Sequence, residues 1–284
     1  MVLYMPQSCY ELPFLLISLL IIFIFSAFPS SRCEEDANFT ECGRRYECGN
    51  VKNLSFPFWG DGRPQSCGHP GFELRCERGE YPVIDIDEVE YRVLNVSQKN
   101  STMILARSDL WDSPCSPGPV NTAFTPPFSF NYTQGVINLT LFYDCPDLAS
   151  SPYNFTCSGD GGRTYFYNVT DFLPDINQPN GLGACGRFLQ VPVFESALDE
   201  FPDQDGLEDV TRALREGFGL NYTQFPHCRQ CEISGGRCGI SDSGETFNCF
   251  CRNGTQELIC PPGTAEHNGE KNLHLRGYSR HLHS

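Results

Sequence analysis

Apolar and polar positions alternate with a period of two along several short stretches of this chain. In Tyr81–Ser97 (YPVIDIDEVEYRVLNVS), Ile84 and Ile86 alternate with Asp85 and Asp87, and Val89, Tyr91 and Val93 alternate with Glu90 and Arg92. That pattern predicts two half-buried antiparallel strands joined by a turn near Asp87–Glu88. Val136–Cys145 (VINLTLFYDC) places Ile137, Leu139, Leu141 and Tyr143 on one face, with Asn138 and Thr140 on the other toward solvent. Thr164–Thr170 and Phe188–Phe194 read as further strands. The Gly-rich run Ser158–Gly162 could cradle a phosphate, but no Lys-Ser/Thr follows it and no helical pattern begins there, so it reads as a turn. One stretch has helical spacing. Leu207, Val210, Leu214 and Phe218 form an apolar stripe over about 205–217, with Asp205 to cap its start and Gly217 or Gly219 to end it. Packing against the second sheet is the role expected of that stripe. Residues 108–135 lose the periodicity and gain Pro114, Pro117, Pro119, Pro126 and Pro127, which marks an inter-module linker.

The longest apolar run is Leu12–Phe28 (LPFLLISLLIIFIFSAF), followed by Pro29-Ser30-Ser31. It reads as the apolar core and cleavage zone of a signal peptide over residues 1–31, although the segment before it has Glu11 as its only charge. An uncleaved signal anchor is the alternative, because the run is near the lower length for a membrane span. No later stretch is long enough to be a transmembrane helix.

Cysteine usage agrees with export. Fifteen of the sixteen cysteines lie between Cys33 and Cys260. So many thiols suit an oxidising compartment, where they cross-link loop-rich domains. Fifteen is odd, and Cys33, beside the acidic stretch Glu34-Glu35-Asp36, is the candidate for the one left over. The fourteen disulfide candidates are Cys42, Cys48, Cys67, Cys76, Cys115, Cys145 and Cys157, then Cys185, Cys228, Cys231, Cys238, Cys249, Cys251 and Cys260. Ten Asn-X-Ser/Thr sequons occur, at Asn38, Asn53, Asn95, Asn100, Asn131, Asn138, Asn154, Asn168, Asn221 and Asn253, where chance would give about two. A net charge of −15 excludes nucleic acid and anionic lipid as partners. The expected fold is mainly β, disulfide-rich, with two tandem small modules and one main α-helix in the second. The modules are 32–107 and 136–260, with the linker 108–135 between them and a disordered tail at 261–284.

The spacing Cys228-x2-Cys231-x6-Cys238-x10-Cys249-x1-Cys251-x8-Cys260 resembles the tail of an EGF-like module, with its first segments shortened. That resemblance implies the pairs Cys228–Cys238, Cys231–Cys249 and Cys251–Cys260, out of fifteen possible connectivities. Cys-x2-Cys is also a zinc-ligand spacing, but an exported protein argues against zinc, and no metal or cofactor is expected.

A broader resemblance is carried by longer runs. CGNVKNLSFPFWGDGRPQSCGHPGFELRC (Cys48–Cys76), YRVLNVSQ (Tyr91–Gln98) and ARSDLW (Ala106–Trp111) resemble the galacturonan-binding domain of plant wall-associated receptor kinases, most nearly the leaf-rust-resistance-locus type. LREGFGLNYTQFPHCRQCEISGGRCGISDSGETFNCFC (Leu214–Cys251) resembles the wall-associated-kinase C-terminal domain. The resemblance implies an ectodomain that engages pectic polysaccharide in the cell wall. Full family members continue into a transmembrane helix and a Ser/Thr kinase. This sequence has no Val-Ala-Ile-Lys, His-Arg-Asp or Asp-Phe-Gly element, so kinase activity is not expected of it.

A galacturonan site needs aromatic faces for sugar C–H patches and cations for carboxylates. Residues 44–78 hold six Lys/Arg against four Asp/Glu, a net of +2 in an acidic chain. Within them Trp59, Arg63, Arg44, Arg45 and His69 are the candidate ligand-binding residues. Each also has a structural reading, with Trp59 in a packed turn and His69 in a constrained Cys-Gly-His-Pro-Gly turn. No catalytic residues are expected, since His69 and His227 are the only histidines in the cysteine-linked body and no nucleophile motif occurs. The expected function is a secreted, polysaccharide-binding receptor-like ectodomain. The alternative is a protein–protein module for a secreted peptide or a receptor partner.

Overall fold

A computed structural model describes residues 35–115, 130–145, 154–157, 164–168, 182–198, 206–241 and 243–262. The leader at 1–31, Cys33, the Ser158–Gly162 loop, the Asp205 cap and most of the tail lie outside the described residues. The described residues from Asp36 onward form one compact unit. It is mainly β, with fifteen strands and three short helices among the described residues.

The hairpin forms where the alternation places it. Strand β4 (Tyr81–Ile86) pairs antiparallel with β5 (Val89–Ser97), Ile84 facing Tyr91 and Ile86 facing Val89. The two turn residues, Asp87 and Glu88, both have positive φ (51° and 66°), as a tight two-residue hairpin turn requires. β3 (Arg75–Glu77) and β6 (Thr102–Arg107) flank the pair. The sheet then takes two strands from farther along the chain, β12 (Phe218–Tyr222) beside β6 and β7 (Phe130–Tyr132) at the edge. The six-stranded sheet therefore draws on residues read as linker and as second module.

The helix explains how this happens. It spans Gly206–Glu216 (α2) and buries Val210, Ala213 and Leu214. The stripe predicted from sequence extended to Phe218, but the helix stops at Gly217, whose φ is +72°. A Cβ at Gly217 would lie 2.1 Å from the Leu105 carbonyl oxygen, so only glycine allows this close crossing. Phe218 then starts β12 and sends its ring into the first sheet's core, 5.8 Å from Tyr91.

That core joins Phe58, Phe72 and Leu74 to Tyr91, Leu105, Phe218 and Tyr222. Phe58 meets both Phe72 and Tyr222 edge-on at 5.5 Å, and Phe72 lies 5.2 Å from Phe130. Each buried aromatic contributes about 1.5–3 kcal/mol by leaving water. Burial also pushes the Tyr222 hydroxyl up to about 12.

A second sheet has the order β11 (Arg187–Phe194), β8 (Val136–Tyr143), β10 (Thr164–Asn168) and β9 (Asn154–Thr156). Leu139, Leu141 and Tyr143 face its core together with Val210 and Leu214 of α2, as their spacing predicts. Thr140 departs from the expected alternation. It is 1% exposed, and Phe142 is buried too, so the far half of β8 is covered on both faces. A third, three-stranded sheet comprises β13 (Arg237–Ile240), β14 (Phe247–Cys251) and β15 (Gly254–Gln256). Two short helices escape sequence patterning: α1 (Ala37–Gly43), capped by the Asp36 side chain, and α3 (Pro226–Ile233). Each buries two residues, Phe39 and Cys42 in α1 and Cys228 and Cys231 in α3, too few to form a stripe.

All fourteen cysteines of the described residues are paired: 42–67, 48–76, 115–157, 145–185, 228–238, 231–249 and 251–260. The last three coincide with the pairs implied by the EGF-like spacing. Their sulfurs are thereby spent, so Cys228-x2-Cys231 presents no thiolates to a metal. Among the described residues no helix is long and apolar enough to cross a membrane.

Candidate functional site

The segment Phe56–Leu74 folds as a chain of turns, tied within by the Cys42–Cys67 bridge and flanked by the Cys48–Cys76 bridge. Gly60 and Arg63 exchange backbone hydrogen bonds of 3.0 and 2.9 Å, which closes a tight turn. The turn directs Arg63 inward, and this corrects the sequence expectation. Arg63 is only 3% exposed. Its Nε donates to the Phe58 carbonyl at 3.0 Å, Nη1 to the carbonyls of Cys42 (2.8 Å) and Arg44, and Nη2 to the Cys67 carbonyl at 2.9 Å. A planar guanidinium suits this task because its donors radiate in a fixed fork. Burial, then the charges of Arg45 and Arg237, lowers its pKa to about 10, which keeps it cationic at neutral pH. Arg63 is an internal tie, with its donors committed to the protein's own backbone.

Trp59 is half-buried. Its indole N–H donates to the His69 carbonyl at 3.1 Å. Gly68 backs onto the ring so closely that a Cβ there would lie 2.3 Å from it. His69 is also half-buried, with Nδ1 2.7 Å from the Pro70 carbonyl oxygen and its ring 4.9 Å from Phe225. Arg44 and Arg45 are exposed. Of the five candidates, then, two keep exposed cationic side chains, two offer partial surfaces and one is withdrawn into the interior.

A cleft of about 750 Å³ lies close to this segment. Its floor is Phe56, Pro57, Tyr222 and Phe225. One wall is the β5–β6 turn, with Gln98, Lys99 and Ser101. The other is α3, with Arg229, Gln230, Glu232 and Ile233. Gln98 fixes the first wall to the floor. Its carbonyl accepts from the Ser55 N–H at 3.1 Å, and its amide donates to the Phe56 carbonyl at 3.1 Å and to Ser55. Phe56 in turn meets Phe225 edge-on at 5.0 Å and Phe247 at 6.0 Å, which joins the first module to the cysteine-rich one. This cleft was not legible in the sequence, because its parts come from 56–57, 98–101 and 222–233. The one local signal was the polar, aromatic run Thr223–His227 standing between a strand and a Cys-x2-Cys pair.

The sequons are mostly at the surface. Asn53, Asn95, Asn100, Asn131, Asn154, Asn221 and Asn253 are exposed, and Asn38 and Asn138 are half-buried. The side chain of Asn168 lies outside the described residues.

Comparison with known proteins places these features. Residues 42–107 match the family described as wall-associated receptor kinase galacturonan-binding, and residues 156–254 match wall-associated receptor kinase C-terminal. Among curated proteins, the chain is similar to three Arabidopsis thaliana proteins named leaf rust 10 disease-resistance locus receptor-like protein kinase-like 2.5, 2.8 and 2.1. Identity to the first is 33%, over 76% of this chain and 34% of the relative. To the second it is 30%, over 77% and 25%, and to the third 28%, over 86% and 39%. The chain thus spans about a third of the length of the curated relatives it matches. No solved structure matches it.

Proposed function

We propose that this receptor-like extracellular module, which carries a wall-associated receptor kinase galacturonan-binding domain followed by a wall-associated receptor kinase C-terminal domain, binds pectic galacturonan at the cell wall. The observation that carries the reading is the galacturonan-binding match over residues 42–107, a segment whose strands and turns hold an ordered surface. Supporting it, the exposed cations Lys52, Lys99 and Arg229 stand out on a chain of net charge −15. Galacturonan is a polyanion, so cations on an acidic protein concentrate attraction locally. Secretion with glycans on the exposed sequons belongs to the same reading, because both disulfides and N-glycans form on the luminal route. Neither matched family is a kinase domain.

The test is retention of the secreted, oxidised chain on immobilised polygalacturonate, with a neutral glucan as control. Selective retention that weakens as salt rises is the expected result. Equal behaviour on both supports would overturn the reading. One observation favours a second reading, a protein partner. Ile233 (78% exposed), Leu258 (41%) and Ile259 (57%) are large apolar side chains at the surface. The Cys260 N–H donates to Ser234 Oγ at 2.8 Å, which brings the segment carrying Ile259 alongside the end of α3.

A further inference from the structure

We infer that the cleft between the β5–β6 turn and α3 is the uronate-binding subsite of this protein, with Lys99 and Arg229 as its carboxylate-pairing residues. The inference rests on the galacturonan reading and says where that binding occurs.

Four observations carry it. The first is size, since about 750 Å³ falls within the range of ligand clefts. The second is charge. Lys99 and Arg229 are exposed, one on each wall, and neither is ion-paired among the described residues. Glu232 is the single acidic lining residue, so the cleft carries +1 on a strongly acidic chain. Two cations lining one cleft suit a ligand that carries more than one carboxylate. The third is the floor. Half-buried Phe225, backed by the buried Phe56 and Pro57, supplies an apolar face for the C–H side of a sugar, while exposed Gln224 and Gln230 bring amides for its hydroxyls. The fourth is rigidity. Gln98 clamps Ser55 and Phe56, and the 228–238 and 231–249 bridges hold α3, so the walls are set before a ligand arrives.

The region first suggested by sequence fits less well. Arg63 is buried and spends four of its five N–H donors on backbone carbonyls, and the indole N–H of Trp59 is used internally. The Arg44 and Arg45 side chains are exposed and make no ion pair among the described residues, and they supply the control.

The experiment measures solution binding of a defined oligogalacturonide, its fully methyl-esterified form and a neutral glucan to the secreted full chain. The variants are Lys99→Gln/Arg229→Gln and, separately, Arg44→Gln/Arg45→Gln. The unesterified oligomer is expected to bind wild type, with a loss of about tenfold for each cleft charge removed. The Arg44/Arg45 variant is expected to stay within about twofold of wild type, since long-range attraction alone is screened. Esterification should abolish the difference between wild type and the cleft variant. If wild type binds and the cleft variant binds equally well, the cleft assignment is overturned while the galacturonan function stands. If wild type binds none of the three ligands, the function itself is overturned. All four side chains are exposed, and matched circular dichroism spectra would confirm that the variants fold.

Discussion

Arg63→Ala should lower stability by at least about 3 kcal/mol, or prevent secretion altogether. The substitution strips the donors from the carbonyls of Phe58, Cys42, Arg44 and Cys67, all tied to one guanidinium. A buried acceptor left without its partner costs about 1–3 kcal/mol, and several are lost together. The vacated volume adds to the loss. Arg63→Lys should rescue little, because an ammonium on a flexible stem cannot reach carbonyls arranged around a planar fork. The check is the denaturant midpoint of the two variants against wild type. An Arg63→Ala protein with an unchanged midpoint but weaker galacturonan binding would contradict the structural role and return Arg63 to the ligand.

Reduction should dismantle the C-terminal module before the rest. Its core comprises Phe56, Cys228, Cys231, Cys238, Ile240, Cys249 and Cys251, so five of the seven buried residues are half-cystines. Gly236 packs directly on their sulfurs, since a Cβ there would lie 2.5 Å from Cys249 Sγ and 2.7 Å from those of Cys231 and Cys260. Few hydrocarbon contacts would remain once these bridges open, and each bridge contributes about 2–4 kcal/mol. The six-stranded sheet has its own aromatic core and should outlast them. Graded reduction followed by limited proteolysis is expected to cut first within 223–262. Galacturonan binding should vanish at the same step, because α3 forms one wall of the cleft. Full retention of the circular dichroism spectrum and of binding after complete reduction would contradict this order of events.

The parts of the fold that were legible in the sequence are those governed by neighbours along the chain. Tyr81–Ser97 announces a hairpin because its period of two and its turn are both local. Leu207, Val210 and Leu214 announce a helix for the same reason. Phe218 misled because its spacing also fits the stripe, and only the crossing of Gly217 over Leu105 ends the helix before it. Strands β7 and β12 find partners far away in sequence, which no local pattern encodes. Arg63 reads as a surface cation beside Trp59 until the carbonyls of Cys42 and Arg44, about twenty residues away, are seen to converge on it with those of Phe58 and Cys67. Lys99 and Arg229 carried no signal at all, since 130 residues separate them and their relation exists only once the sheet and α3 are assembled. In the cysteine-rich segment 228–260 the pairing came from the EGF-like resemblance, since six cysteines by themselves leave fifteen connectivities open.

The most direct test of the account is hydrogen exchange of the secreted chain with and without a saturating oligogalacturonide. The account predicts slowed exchange in Ser55–Phe58, Gln98–Ser101 and Thr223–Arg229, with Arg44–Cys48 unchanged. Protection confined to Arg44–Cys48, or none anywhere while the ligand is bound, would contradict it.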